Sequence, residues 1–186
     1  MESELNANPL SQAPSLDQNS YNVGPQTGDD VIFTTQKCPK RHRQIQAQMT
    51  LPFLSEQVWQ VLIDYKALAD FIPNLAKSER LDHPGIRVEQ VGVKNALFLR
   101  FSARVVLDMV EEYPHRITFE MVEGDFKTFR GSWVLCPLDQ GTALSYNLLI
   151  CPTRMIPVQA IEQQLHHDLP RNLRAIHQRL QQLYGP

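Results

Sequence analysis

Hydrophobic and polar residues alternate along much of the chain and change period near its C-terminus. From about Ile86 to Ile150 the period is two between turn signals, which is typical of β-strands. From Pro157 to Tyr184 apolar residues recur at steps of three and four, which places them on one face of an α-helix. A face of this length needs a large apolar partner, and only the preceding strands offer one. The pattern predicts an α+β fold in which a curved antiparallel sheet grips one long helix, whose apolar face consists of Val158, Ile161, Leu165, Leu169, Leu173, Ile176, Leu180 and Leu183.

The segment before the sheet predicts one further strand and two short helices. Alternation over residues 43–51 indicates the first strand. Ser55 stands at the expected N-cap of a helix that ends near Tyr65, and a second short helix is stopped by Pro73. We therefore expect the order strand, two short helices, sheet, long helix.

Turn signals divide the remaining alternating sequence into strands. At ~3.3 Å per residue, the segment 96–112 is too long to stay flat in a small domain, so we expect it to bend or bulge. With the first strand this predicts about seven strands, the others covering residues 75–81, 86–93, 96–112, 116–122, 126–137 and 142–151.

The predicted inner face of the sheet is strongly apolar. Only Gln90 and the hydroxyl of Tyr146 add polar groups to it. Such an interior suits an apolar guest or a filled core, and core packing is the simpler interpretation because a buried aromatic side chain contributes about 1.5–3 kcal/mol in either case. The candidates for lining a cavity between sheet and helix are Phe71, Gln90, Leu99, Phe101, Phe119, Met121, Phe129, Trp133, Tyr146, Leu148, Ile161 and Leu165.

The composition predicts a soluble protein with one domain. The chain has 186 residues, of which 42% are hydrophobic, and no run approaches the ~18 apolar residues of a membrane span. Its start carries acidic residues where a secretory signal has basic and apolar ones. Cys38, Cys136 and Cys151 have no spacing typical of a metal or redox motif. We therefore expect a reducing, cytoplasmic setting.

Residues 1–36 differ from the rest of the chain. They are rich in Asn, Gln, Ser and Pro, and they carry five acidic residues but no Lys or Arg. Such a segment buries too little apolar surface to offset the entropy lost on ordering. We expect a disordered leader over residues 1–36 and a domain over residues 40–184.

The charge of the remaining chain is close to balanced, with 18 basic and 15 acidic residues. This balance argues against nucleic-acid binding, which needs a strongly basic surface. A short basic cluster does run from Lys37 to Arg43. The simpler interpretation is a solvated entry to the first strand, and the alternative is transient contact with an anionic membrane surface, for which four charges give only marginal attraction.

Two groups of titratable residues were considered as catalytic or metal sites. His166, His167 and Asp168 are consecutive, and neighbours on a helix point about 100° apart, so they do not readily share one ion. Glu111 and Glu112 are neighbours on a strand and face opposite ways. The sequence therefore predicts no catalytic residue, no metal site and no cofactor.

Five short motifs, together with the predicted element order, resemble the START-like (SRPBCC) helix-grip superfamily. The nearest resemblance is to the polyketide cyclase/dehydrase and lipid-transport group, which includes coenzyme Q-binding proteins, in the form found in cyanobacteria and plastids. It covers residues 40–184, and its motifs are specific for fold more than for function. They are Val58–Tyr65 (VWQVLIDY), Phe71–Asn74 (FIPN), Gly131–Trp133 (GSW), Gly141–Thr142 (GT) and Pro170–Leu173 (PRNL).

The resemblance implies a cavity between sheet and helix that holds a hydrophobic molecule. Members bind sterols, phospholipids, polyketides, plant hormones or quinones, and some catalyse aromatic ring closure. The favoured hypothesis is a carrier or chaperone for a lipid, prenylquinone or polyketide-like molecule. The alternatives are an aromatase/cyclase-type enzyme, which needs ordered donors and acids inside, and a protein-interaction module with a filled core. Oligomeric state is left open.

Ligand entry is expected beside the short helices and the first half of the long helix. Apolar side chains stand next to prolines there, and a proline within a helix removes a backbone donor and weakens the turn around it. The alternative is that these side chains cap the core and that the proline fits the helix to a curved sheet. The candidate gate residues are Ile72, Pro73, Met155, Ile156 and Pro170.

Overall fold

A computed structural model describes residues 30–96 and 99–185, with the backbone alone for residues 94–96 and 99–101. This part of the chain forms eight strands and three helices. Their order is β1 (Ile32–Lys37), β2 (Arg43–Leu51), α1 (Ser55–Ile63), α2 (Leu68–Phe71), β3 (Leu75–Arg80), β4 (Ile86–Ala96), β5 (Leu99–Glu112), β6 (Arg116–Gly124), β7 (Phe126–Leu138), β8 (Gly141–Pro152) and α3 (Val158–Tyr184).

All eight strands belong to one antiparallel sheet in the order β1-β2-β8-β7-β6-β5-β4-β3. The register shifts between Leu75 and Lys77, between Val106 and Leu107, and between Phe126 and Thr128. Such bulges bend a strand and increase its twist. The bulge in β5 confirms that this long strand does not stay regular, and the sheet with its long C-terminal helix confirms the helix-grip fold.

The predicted number of strands was one too low. The additional strand is β1, which lies within the segment interpreted as a leader and pairs along its whole length with β2. Most of its side chains are exposed, so it lacks the alternation by which the other strands were recognised. Backbone hydrogen bonding to β2 holds this edge strand in place, and Phe33 is its side chain that packs against the core. Residues 32–37 are therefore ordered, contrary to the predicted leader over residues 1–36, and the prediction for residues 1–29 lies outside the described residues.

The first helix begins one residue earlier than the sequence suggested. Leu54 occupies the N-cap position, and its backbone N–H donates to Gln57 Oε1 at 2.9 Å. Ser55 is the first helical residue, and its buried hydroxyl lies 3.1 Å from Thr142 Oγ1 at the start of β8. The predicted N-cap role of Ser55 was wrong, because this side chain ties the helix to the sheet instead of capping it.

Helix α3 is 27 residues long and continues through Pro170. Its deeply buried side chains lie mainly in its second half and pack on a core supplied by the sheet and α1. Across residues 30–96 and 99–185, no helix is both long and apolar enough to cross a membrane. The buried residues of α3 are Val158, Leu169, Leu173, Ala175, Ile176, His177 and Leu180.

Ion pairs connect four strands on the outer face of the sheet. Both carboxylate oxygens of Glu89 are engaged, one by Lys77 Nζ at 2.5 Å and the other by Arg104 Nε at 2.5 Å. Arg104 also binds Glu123 at 2.5 Å through Nη1. The hydrogen bonds from Lys77 and Arg104 hold the pKa of Glu89 below its ordinary value. The charged form of Glu89 is thus favoured in the folded protein.

This arrangement predicts how stability responds to acid. A carboxyl group whose pKa is lowered on folding contributes stability above its unfolded pKa and loses that contribution as the pH falls through its folded value. We expect Glu89→Gln to lower the free energy of unfolding at pH 7 and the difference from wild type to shrink as the pH falls below about 4. Urea unfolding at several pH values measures it, and Glu112→Gln, an exposed site, is the control. A difference that did not change with pH would contradict it.

Candidate ligand-binding site

Helix α3 makes its main sheet contacts with β1, β2 and β8 and also packs on α1. These strands form one side of the sheet. The inner faces of β5, β6 and β7 lie farther along it, where α3 provides little cover. Large apolar side chains of this region are therefore only partly buried, as Met121, Phe129 and Trp133 show.

Five aromatic side chains meet on the inner face of β6, β7 and β8, and we refer to Phe119, Phe126, Phe129, Trp133 and Tyr146 as the aromatic cluster. Phe119 stacks on Tyr146 with ring centroids 5.7 Å apart, and Trp133 contacts Tyr146 at 4.4 Å. Phe129 lies 5.7 Å from Phe119 and 5.5 Å from Phe126. Phe119 and Tyr146 are buried, whereas the other three are half-buried. The cluster thus extends from the core to an accessible edge.

A glycine makes room for this packing. Gly131 lies opposite Phe119 in the β6–β7 ladder. A Cβ atom at Gly131 would stand 1.9 Å from the backbone oxygen of Asn147 and 2.8 Å from Cζ of Phe119. No side chain can be added there without moving backbone or the ring. Gly131 therefore permits the close approach that the aromatic cluster needs.

Polar groups in the interior are few. The Tyr146 hydroxyl makes no hydrogen bond to the described residues, and burial raises the pKa of this phenol, so it stays protonated at neutral pH. Asn172 Oδ1 on α3 is buried without a hydrogen-bond partner in the described part of the chain. Gln90, the other predicted polar group, is half-buried and donates to Ser78 Oγ at 3.3 Å. Its amide thus joins β4 to β3.

The predicted lining residues fall into three groups. Phe119, Tyr146 and Leu148 belong to the buried core. The side chains of Leu99 and Phe101 lie outside the described residues, although both positions are in β5. The half-buried group, which packs against the core, consists of Phe71, Met121, Phe129, Trp133, Ile161 and Leu165.

Two open recesses divide some of these residues between them. A recess of about 400 Å³ lies between α1, α2 and the end of α3 and includes Phe71 and Arg179, whose guanidinium is 5.8 Å from the Phe71 ring centroid. A recess of about 260 Å³ includes Met121 and Phe129. It lies where the β6–β7 ladder ends, beyond the pair Glu120 and Arg130. The sequence analysis had placed Phe71 and Phe129 in one cavity, whereas they line separate recesses.

Comparison with known proteins identifies the family to which this architecture belongs. The family model described as "polyketide cyclase / dehydrase and lipid transport" matches residues 51–176. The chain belongs to this family. A search of curated protein sequences finds no significant match.

Solved structures share the fold. A STAR-related lipid transfer protein from Xanthomonas axonopodis is 18% identical, with 86% of this chain and 97% of that chain covered and a TM-score of 0.62. The Thermus thermophilus protein TTHA0849 is 20% identical, with coverage of 76% and 99% and a TM-score of 0.64. The Zhui aromatase/cyclase from Streptomyces is 17% identical, with coverage of 75% and 91% and a TM-score of 0.57. At these identities the likeness concerns the fold alone.

The titratable residues that the sequence offered as candidate catalytic or metal sites make structural contacts in this member of the family. His166 packs edge-on against Phe33 with ring centroids 4.8 Å apart, whereas His167 Nδ1 lies 2.9 Å from Asp168 Oδ1. Glu111 accepts a hydrogen bond of 2.7 Å from the Tyr65 hydroxyl, and burial, with this bond, raises the pKa of Tyr65. No cluster of three potential metal ligands occurs among the described residues.

The candidate gate residues differ in exposure. Met155 is 93% exposed, whereas Ile72, Pro73, Ile156 and Pro170 are half-buried. Ile72 also packs against the core, which agrees with the capping alternative for this residue. Only Met155 forms an exposed apolar tip.

Sequence reasoning overlooked two residues of this region. Phe126 joins the aromatic cluster although strict alternation separates it from Phe129, because the bulge between Phe126 and Thr128 changes which side chains face inward. Asn172 was noted only as part of a motif. It lies seven residues after Leu165 and three after Leu169, which places it on the same helix face, so the helical period could have indicated its burial.

The packing at Gly131 predicts the effect of one added methyl group. We expect Gly131→Ala to lower the free energy of unfolding by roughly 1–3 kcal/mol, because backbone or the Phe119 ring must move. Gly92→Ala is the matched control, since a Cβ atom there meets nothing nearer than 3.7 Å. Denaturant unfolding of both variants measures the effect. Equal losses would show that added volume at Gly131 is not the cause.

Proposed function

We propose that this protein binds a lipophilic small molecule between the inner face of the sheet and the first half of α3, and that it acts as a carrier or chaperone. The main support is the partly covered apolar surface on both elements. Phe129 and Trp133 on β7, and Ile161 and Leu165 on α3, are half-buried although each is large and apolar. A lipophilic ligand would remove this surface from water.

The interior also suggests the chemistry of the ligand. Protonated Tyr146 is suited to donate a hydrogen bond to one oxygen of a mostly apolar molecule. Asn172 Oδ1 is suited to accept one from a hydroxyl group. A prenylquinone, or a lipid with few polar groups, meets these requirements, which agrees with the resemblance to coenzyme Q-binding proteins and with a cyanobacterial or plastid type.

An aromatase/cyclase-type enzyme is the second candidate, because the family description names a polyketide cyclase and three of the matched solved structures are aromatase/cyclases. Tyr146 could polarise a carbonyl group, but its raised pKa makes it a weak proton donor. Asp168 is engaged by Gln164 and His167. Carriage therefore fits the described interior better than catalysis.

Ligand binding should change the fluorescence of Trp133. We expect a prenylquinone to quench this emission and a fatty acid to shift it, because either would alter the surroundings of the indole. Trp59 is buried and packs against Tyr113, so it should contribute a constant background. Titration of the protein with each ligand class measures the response, and Trp133→Phe should abolish it.

A charge at the site should prevent this response while the fold survives. Phe129→Asp should eliminate the fluorescence change, since burying a carboxylate beside an apolar ligand is unfavourable. Val122→Asp introduces the same group at a residue that is 50% exposed and serves as the control. Phe129→Ala keeps the test usable if the charged variant does not fold. No response of wild type to saturating ligands of several classes would contradict the carrier function and favour a filled core.

Helix α3 should open from its N-terminal end. Apart from Val158, its deeply buried residues begin at Leu169, so its first half has fewer contacts to lose on local unfolding. We expect amide hydrogens of residues 153–169 to exchange faster than those of residues 173–183, and a lipophilic ligand to slow exchange selectively in the first segment. Hydrogen-exchange mass spectrometry measures both. Equal protection of the two halves, unaffected by ligand, would contradict a gate.

A further inference from the structure

Three segments that are distant in sequence meet at one end of the sheet. The turn between β1 and β2 contacts the start of β7 through His42 Nε2, which lies 3.2 Å from Thr128 Oγ1. The same turn contacts the loop between β8 and α3, because Arg41 Nη2 donates to the backbone oxygens of Thr153 at 3.2 Å and Ile156 at 2.8 Å. These contacts fix the loop that leads into α3.

The meeting point is rich in positive charge. Residues 37–43, 126–130 and 151–157 together contain seven Lys and Arg residues and no Asp or Glu, although the whole chain has a net charge of −2. Positive charge is therefore concentrated here because the fold brings these three segments together.

Two of these seven cations contact described residues, and a third stands opposite an acidic residue in the sheet without an ion pair to it. Arg41 holds the loop carbonyls, and Arg43 Nε lies 2.6 Å from Glu162 Oε1. Arg130 stands opposite Glu120 in the sheet. The other four are exposed and form no ion pair with the described residues; we call them the basic end, and they are Lys37, Lys40, Lys127 and Arg154.

An apolar side chain projects beside these charges. Met155 follows Arg154 directly and is 93% exposed, the highest exposure among the large apolar residues of the described chain. Arg41 donates hydrogen bonds to backbone oxygens on both sides of Met155. The loop is therefore already ordered, and exposing this side chain to a partner costs little further conformational entropy. Cations surrounding an exposed apolar tip match the chemistry of a bilayer surface, where anionic head groups lie above an apolar layer.

We propose that the basic end docks on the surface of a bilayer containing anionic lipids, with Met155 inserted among the head groups. A nucleic acid is the less suitable partner, since four cations are few for phosphate-backbone binding and the aromatic side chains of these segments, Phe126 and Phe129, pack on each other with ring centroids 5.5 Å apart. Four cations and one methionine give weak, reversible attachment.

This docking would place the start of α3 at the membrane. Val158, the first residue of the helix, follows the loop that carries Met155. A lipophilic ligand could then pass between the bilayer and the half of α3 that has fewer buried residues. This use of the surface rests on the proposed carrier function, whereas attachment to vesicles does not require any ligand in the interior.

Vesicle flotation tests the docking directly. We expect the full chain to float with phosphatidylcholine vesicles that contain about 30 mol% phosphatidylserine, and not with phosphatidylcholine alone. Raising the salt to about 1 M should release it, because the screening length falls to about 3 Å. Lys127→Gln/Arg154→Gln should weaken partitioning about 25-fold, since each charge near such a surface changes binding about five-fold. Met155→Ser should weaken it further without changing the salt dependence.

The matched control removes two cations elsewhere. Arg116→Gln/Arg174→Gln changes the net charge equally, at the opposite end of the sheet and on the second half of α3, and should leave partitioning unchanged. Loss of binding in this control, or equal binding to neutral vesicles, would overturn the proposal. So would retention of a single-stranded oligonucleotide by the basic end without vesicle binding. A protein that floats but gives no Trp133 response would retain the docking and lose the carrier function.

Discussion

The packing of the second half of α3 against one side of the sheet is the interaction on which the rest of this structure depends. Leu173, Ile176 and Leu180 are almost fully buried there, and α1 closes the same core. Because the helix makes its main sheet contacts with β1, β2 and β8, aromatic side chains of β6 and β7 cover the inner face beyond it. The aromatic cluster is the consequence. It remains half-buried at its edge, at Phe126, Phe129 and Trp133.

The uneven burial along α3 relates the interior to the end of the molecule. Deep contacts anchor the second half of the helix, whereas its first half begins at the loop held by Arg41 and has few buried side chains. Local opening is easiest where the fewest contacts are lost. The same end of the sheet carries the basic end and Met155. The loop that leads into α3 carries part of the proposed bilayer surface. The first half of α3, which is the less firmly packed part of the proposed ligand site, follows that loop directly, so the two lie side by side.

Membership of the family establishes the architecture but leaves the chemistry to individual residues. Three polar groups of the described residues that could support chemistry are engaged in structural contacts. Glu111 accepts from Tyr65, Asp168 is engaged by its helical neighbours, and Gln90 bonds Ser78. The interior also contains the protonated phenol of Tyr146, the amide oxygen of Asn172 and the buried imidazole of His177. The proposed carrier function rests on this combination.

The sequence by itself determined the parts of this protein that depend on side-chain period. Alternation located β2 to β8, steps of three and four located α3, and together they indicated which residues face the interior. Tertiary structure decided the features that do not depend on the spacing of apolar side chains. Strand β1 is held by backbone pairing, the bulge beside Phe126 brings that residue into the aromatic cluster, and Ser55 bonds a strand about 90 residues away instead of capping its helix. The degree of burial of Phe129 and Trp133 follows from how far α3 extends over the sheet. The basic end exists because three segments without acidic residues converge, and local sequence contains no information on which distant segments will meet.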